Sequence, residues 1–128
     1  MLRALRALLR PGGRIAYTTI YVAPGLSEAQ RRRARRSGPP AVASSSQPLQ
    51  LLRSSNLVDI DSVDLTNEYA ETAAAWVAAT EANLDALAAL DSRAAVEQRL
   101  RERDAHLRAI QDGLLKRGLF VASQPITF

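Results

Sequence analysis

Few residues in this chain can do chemistry, which makes them easy to weigh. There is one histidine, His106, and no cysteine. The missing thiols remove disulfides, thiolate metal sites and cysteine nucleophiles together, and a single imidazole cannot build a histidine-based metal cluster. His106 has the side chain most often used as a general base. It lies between Asp104 and Leu107 on a charged helical flank, where a solvated or lightly paired imidazole is the plainer expectation. Asp59, Asp61 and Asp64 have the beginnings of calcium-loop spacing, but the glycine and closing glutamate such a loop needs are absent. No metal is expected there. The run Arg31-Arg32-Arg33-Ala34-Arg35-Arg36 has the charge to hold a phosphate-rich partner, because clustered guanidinium groups release counterions on binding. It has no interleaved aromatic side chain for base stacking. A solvated helical face is therefore preferred, and nucleic acid is not the expected partner.

The frame that positions these residues is small. A chain of 128 residues has room for one domain. No apolar run is long enough to cross a bilayer, and Met1–Arg10 lacks the apolar stretch of a secretion signal. That opening segment is free of acids, like an organellar leader, but its direct continuation into a strand argues against one. A soluble, cytoplasmic protein is the expectation. The net charge of +4 hides a polarity along the chain. Residues 1–53 carry ten arginines against Glu28 alone, while residues 54–128 carry seven basic and twelve acidic residues. Halves so opposed can pack together or recruit different partners.

Leu2, Leu5, Leu8 and Leu9 give a short amphipathic helix reaching Arg10, stopped by Pro11 and a Gly12-Gly13 turn. Arg14–Val22 follows as a strand, with Ile15, Tyr17, Thr19 and Tyr21 on one face. Ser27 and Gln30 have capping-box spacing ahead of a basic helix through Arg36. Residues 37–47 have the composition of a flexible loop. Pro48 suits a first helical position, and Asn56 suits a left-handed helix terminus. Leu57–Leu65 reads as a second strand whose apolar phase shifts between Ile60 and Val63, so a bulge is expected near Asp61-Ser62. Residues 67–116 form a helical hairpin. Tyr69, Ala73, Trp76, Thr80, Leu84 and Leu87 mark one helix and Val96, Leu100, Leu107, Ile110 and Leu114 the other. Asp91-Ser92 caps the second, Gly118 closes it, and Leu119–Ser123 is a last strand.

In that order, these pieces resemble the C-terminal part of class I S-adenosylmethionine-dependent methyltransferases. Leu8-Leu9-Arg10-Pro11-Gly12-Gly13-Arg14 is similar to the segment before the fifth strand of that fold. Leu49–Leu57 resembles the helix and turn before the sixth. Asp64-Leu65-Thr66 running into Tyr69, Thr72 and Trp76 resembles a small-molecule methyltransferase branch, as does Ile110 through Phe120. The fold class expected is therefore α/β: the C-terminal portion of a Rossmann-like domain, a small three-stranded mixed sheet with flanking helices and a helical hairpin. Residues 1–128 would be a single partial domain.

The resemblance implies transfer of a methyl group from S-adenosylmethionine to a small acceptor, where holding the acceptor in line supplies much of the rate gain. It implies that Thr19 and Tyr21, near the carboxyl end of a strand, either face the acceptor or pack against flanking helices, with neither preferred, while packing is preferred for Tyr17. Trp76 and Tyr69 either form a lid over that site or pack between the long helices; their regular spacing favours packing. The catalytic base is not assigned. A Gly-x-Gly turn is what lets a backbone approach such a cofactor, and none occurs here. Seven strands at roughly 30 residues per βαβ unit need about 200 residues. The chain is thus expected to lack the cofactor-holding half, to bind no cofactor alone and to be inactive alone. The Arg14–Val22 edge, unpaired without its fourth-strand neighbour, is expected to pair with a separate N-terminal half or with itself. The rival reading is a non-enzymatic helical adaptor that binds nucleic acid or an acidic partner through Arg31–Arg36.

Overall fold

The computed structural model describes residues 2–43 and 47–126. Helix α1 (Leu2–Leu8) ends two residues before Arg10, and the Gly12-Gly13 turn hands the chain to strand β1 (Arg14–Val22). The turn requires its glycine, since Gly12 sits at φ +78°. Gly12 N–H donates to the Gln124 carbonyl at 3.0 Å and Gln124 N–H donates back to Gly13 at 2.8 Å, so the approach to β1 is clasped to the residues after the last strand.

Helix α2 (Glu28–Ser37) starts on the expected capping box: the Ser27 hydroxyl accepts from Gln30 N–H and the Gln30 side chain accepts from Ser27 N–H. Of the loop expected over 37–47, Pro40–Ala43 forms a 3-10 turn, and residues 44–46 lie outside those described. Helix α3 (Pro48–Ser54) has its proline in the first turn, and Asn56 takes the left-handed conformation at φ 59°. Strand β2 (Val58–Asp64) follows. Its register shifts between Val58 and Asp61, slightly earlier than the Asp61-Ser62 bulge read from the sequence. The reason is Asp59 at φ 51°, a residue type whose short polar side chain tolerates that conformation; the change of apolar phase lies downstream of it.

The helical hairpin has three pieces: α4 (Thr66–Ala82), α5 (Leu84–Leu90) and α6 (Arg93–Gln111). Asn83 interrupts the first arm, its side-chain amide donating to the Ala79 carbonyl at 2.8 Å. Ser92 caps α6 as expected, accepting from Ala95 N–H. Gly118 does not close that helix. Gly113, at φ +76°, does so, with Gly113 N–H on the Ile110 carbonyl and Leu114 N–H on Ala109, a glycine-terminated helix end. Strand β3 therefore begins at Leu115 and runs to Ser123, longer than the sequence suggested, and holds Gly118 in its middle.

The strand order is β1-β3-β2. β3 lies antiparallel to both neighbours, so among the described residues the three-stranded sheet is antiparallel throughout and not the mixed sheet expected from the sequence: the central strand is the last in the chain and runs back between the other two. Alternation then divides two cores across the sheet. Val22 and Leu115 pack with Ala34, Val42, Ala109, Ile110 and Leu114 on the face covered by α2 and the hairpin. Phe120 and Ala122 pack with Leu2, Leu52 and Leu57 on the other. Among the described residues, β1 has no second strand neighbour, and no helix is long and apolar enough to cross a membrane.

Candidate functional site

On the hairpin side of the sheet, the packing leaves a cleft of about 400 Å³. Ile20 of β1 forms its floor, Ser37, Gly38 and Pro39 one wall, and α4 and α6 the others through Tyr69, Thr72, Ala73, Trp76, Glu102, Arg103 and His106. A second bay, about 420 Å³, shares Ile20, Pro39 and Tyr69 and extends to Thr18, Thr19, Val42 and Arg117. Both bays are open, and Tyr69 stands where they meet.

Tyr69 and His106 are the chemical centre of this cleft. The phenol of Tyr69 is hydrogen-bonded to His106 Nε2, and His106 Nδ1 lies 2.9 Å from the Ser37 carbonyl oxygen. A carbonyl can only accept, so Nδ1 carries a proton. In the neutral ring Nε2 is then bare and accepts the Tyr69 O–H. Three elements fix this arrangement: α4 carries the phenol, α6 the imidazole, and the last residue of α2 the carbonyl. The rings meet edge-on, with centroids 5.4 Å apart. Burial raises the Tyr69 pKa above its ordinary value, and the Arg117 guanidinium, 5.5 Å above the ring, partly opposes that rise. The single histidine is thus half-buried and bonded at both nitrogens rather than solvated.

Trp76 is 57% exposed and stands at the rim, not between the helices. Its spacing on α4 puts it on the same side as the buried Thr80, but the indole itself is left uncovered. The Arg103 guanidinium lies 4.6 Å from the indole centroid and donates to Thr80 Oγ1 at 2.8 Å. A cation over an indole face is held electrostatically, and here it stiffens the rim.

The remaining residues singled out from the sequence are dispersed. Thr19 lines the bay with Arg117. Tyr21 points to the opposite face, where it packs edge-on against Phe120 at 6.0 Å and borders a separate hollow of about 140 Å³ with Asp64 and Gly118. Tyr17 packs on the same Phe120 ring at 5.7 Å. Trp76 lines the first cleft; Thr19 borders the second bay while its side chain alternates onto the Tyr17–Tyr21 face of β1; Tyr21 reaches neither, so the three are not brought together. Asp61 accepts from Ser62 N–H and Asp64 from Thr66 N–H, so both serve local turns. On α2, Arg31 and Arg35 pair with Glu28 at 2.7 and 3.4 Å, and Arg33 pairs with Asp112 at 2.6 Å. Two carboxylates thus pair with three of the five arginines, and Arg32 and Arg36 have no carboxylate within ion-pairing distance among the described residues.

Gly25 and Gly113 sit at open turns, Gly12 meets Ile126, and the space over Gly118 is filled by Phe120. The N-terminus of α2 is closed by its own serine and glutamine.

No protein-family profile and no curated protein sequence matches the chain. Solved structures do. Phosphoethanolamine N-methyltransferase 2 of Haemonchus contortus, in complex with phosphomonomethylethanolamine and S-adenosylhomocysteine, superposes with a TM-score of 0.77 at 21% identity, over 97% of this chain and 29% of that one. A cyclopropane synthase of Mycobacterium tuberculosis gives 0.76 at 14% identity, over 95% and 48%. A protein of Galdieria sulphuraria described as a sarcosine dimethylglycine methyltransferase gives 0.78 at 14%, over 99% and 47%. The chain spans less than half the length of each of these proteins. Over that span its fold is that of S-adenosylmethionine-dependent methyltransferases, as the sequence resemblance implied.

Proposed function

We propose that this chain is the acceptor-side portion of an S-adenosylmethionine-dependent methyltransferase and that a separate N-terminal portion supplies the grip on the cofactor. The observation that carries the reading is the coincidence of two things. The chain matches such enzymes over nearly its whole length, and on the hairpin side it holds a cleft with a hydrogen-bonded tyrosine–histidine pair inside it. The cofactor, when held by the other portion, brings the methyl group as an activated sulfonium. This chain's own residues bind and orient the acceptor. Ile20, Ala73 and Trp76 supply apolar wall. Tyr69 and His106 are the pair placed to accept a proton: the phenol passes its hydrogen to Nε2 while taking one from the acceptor, leaving imidazolium braced by the Ser37 carbonyl. Without its other portion the chain binds no cofactor and is inactive, and the free edge of β1 is where that portion, or a second copy, adds its strand.

Translating the DNA immediately upstream of the Met1 codon in all three forward frames and co-expressing what it encodes tests this. A glycine-rich strand–turn–helix segment that co-purifies with the chain and confers binding of S-adenosylhomocysteine, seen by calorimetry, is the expected result. A segment without that motif, or a stable complex that binds no S-adenosylhomocysteine, overturns it. The adaptor alternative would instead be favoured by a salt-dependent mobility shift with generic nucleic acid that disappears when Arg32 and Arg36 are replaced.

A further inference from the structure

The cleft holds two guanidinium groups, and they are in different states. Arg103 is occupied, lying over Trp76 and donating to Thr80. Arg117 is not. It is half-buried, opposite Ile20 across the β1–β3 ladder and therefore on the sheet face that lines the cleft. Its side chain makes one long contact, 3.4 Å to the Thr18 hydroxyl, and lies over the Tyr69 ring. Among the described residues no carboxylate comes within ion-pairing distance of it, whereas Arg31, Arg33, Arg35, Arg93, Arg99 and Arg108 all have one.

A guanidinium held by one long hydrogen bond and a ring face keeps most of its N–H donors free for an anion. Its planar fork presents paired N–H donors that match the two oxygens of a carboxylate or phosphate. Thr18, on the same face of β1 as Ile20, lines this bay and adds a hydroxyl group able to donate to a third oxygen. The apolar stretch formed by Ile20, Pro39 and Val42 lies beside it, so the bay suits an anionic group joined to a small apolar body.

We infer that Arg117, with Thr18, is the anion-recognition end of the cleft and that the molecule it takes is a small acceptor carrying a carboxylate or a phosphate monoester. This rests on reading the cleft as the acceptor side of a methyltransferase. The anion anchors at Arg117, and the body of the acceptor runs over Ile20 toward Tyr69 and Trp76. Arg117 here is a binding residue that sets specificity and takes no part in proton movement.

The test uses the isotopically labelled full chain without any cofactor. Separate titrations with propionate and with ethyl phosphate are followed through the Arg117 side-chain Nε–H and the Thr18 and Thr19 amides. Saturable shifts at millimolar ligand are expected from at least one of the two, and the stronger binder identifies the anion. Arg117→Gln should weaken that binding at least tenfold, Thr18→Val should weaken it less, and Arg36→Gln on exposed α2 should leave it unchanged. Circular dichroism of each variant separates loss of binding from loss of fold, and Arg117→Lys, which keeps the charge without the fork, should bind with intermediate strength. Unsaturable shifts, equal binding in Arg117→Gln, or an equal loss in Arg36→Gln overturns the proposal. Because no cofactor is present, saturable anion binding without methyl transfer in the reconstituted complex would refute the enzymatic reading alone. Transfer to an uncharged acceptor without anion binding would refute this inference alone.

Discussion

Tyr17, Tyr21 and Tyr69 all have pKa values raised above the ordinary 10.0 by burial, with Asp64 adding to the effect at Tyr21. An acid whose folded pKa is raised contributes stability that is complete below its unfolded pKa and is lost as pH climbs through the folded value. The chain should therefore hold its stability up to about pH 10 and lose it steeply above. In a spectrophotometric titration, tyrosinate absorbance should rise together with the loss of helical dichroism. Tyrosinate forming at the ordinary value, ahead of unfolding, would contradict the burial of these rings. The sequence made Tyr69 and His106 visible individually but not as a pair. They are 37 positions apart, and only the antiparallel return of α6 along α4 brings them together. Trp76 shows the opposite limit: periodicity gives the face of a helix on which a residue sits, but not whether the neighbouring layer extends far enough to cover it.

Local chemistry made most elements legible. Ser27 with Gln30, Pro48, Asn56 and Ser92 each mark a boundary by a mechanism confined to a few residues, and each sits where that mechanism requires. Gly118 was misread because a glycine that ends a helix and a glycine that makes room look alike in a sequence. In β3 its role is space. A Cβ there would stand 2.8 Å from the Phe120 ring, and that ring is itself held between Tyr17 and Tyr21. Gly118→Ala should cost about 1–3 kcal/mol, the usual range for forcing extra volume into a packed site. Urea denaturation should show this as a lower midpoint with an unchanged slope; a neutral substitution would mean that Phe120 can swing aside freely. A similar ambiguity hid the break at Asn83, since Leu84 and Leu87 keep the helical period across it.

At the scale of the molecule, the sheet order places β3 in the centre and, among the described residues, leaves one side of β1 without a ladder. A nine-residue strand with an open edge is a template for pairing. At micromolar concentration the chain alone should therefore scatter light as more than a monomer. Ala16→Lys, which puts a charge on an exposed edge position, should return it to one. A clean monomer before the substitution would remove the argument for strand addition. That order was not legible from the chain, because composition identifies strands and says little about which of two distant ones lies between the others.

The clasp between Gly12-Gly13 and Gln124 has a mechanical side. Arg14 faces Ser123 and Val22 faces Leu115, so tension applied ahead of β1 and beyond β3 acts at the same end of one antiparallel ladder. Such a load peels the rungs in sequence, beginning with the two Gly–Gln hydrogen bonds, instead of shearing all of them at once. Under load the domain should yield at low force from its clasped end, and the rungs nearest the tyrosine–histidine cleft, at Ile20 and Arg117, should be among the last to part.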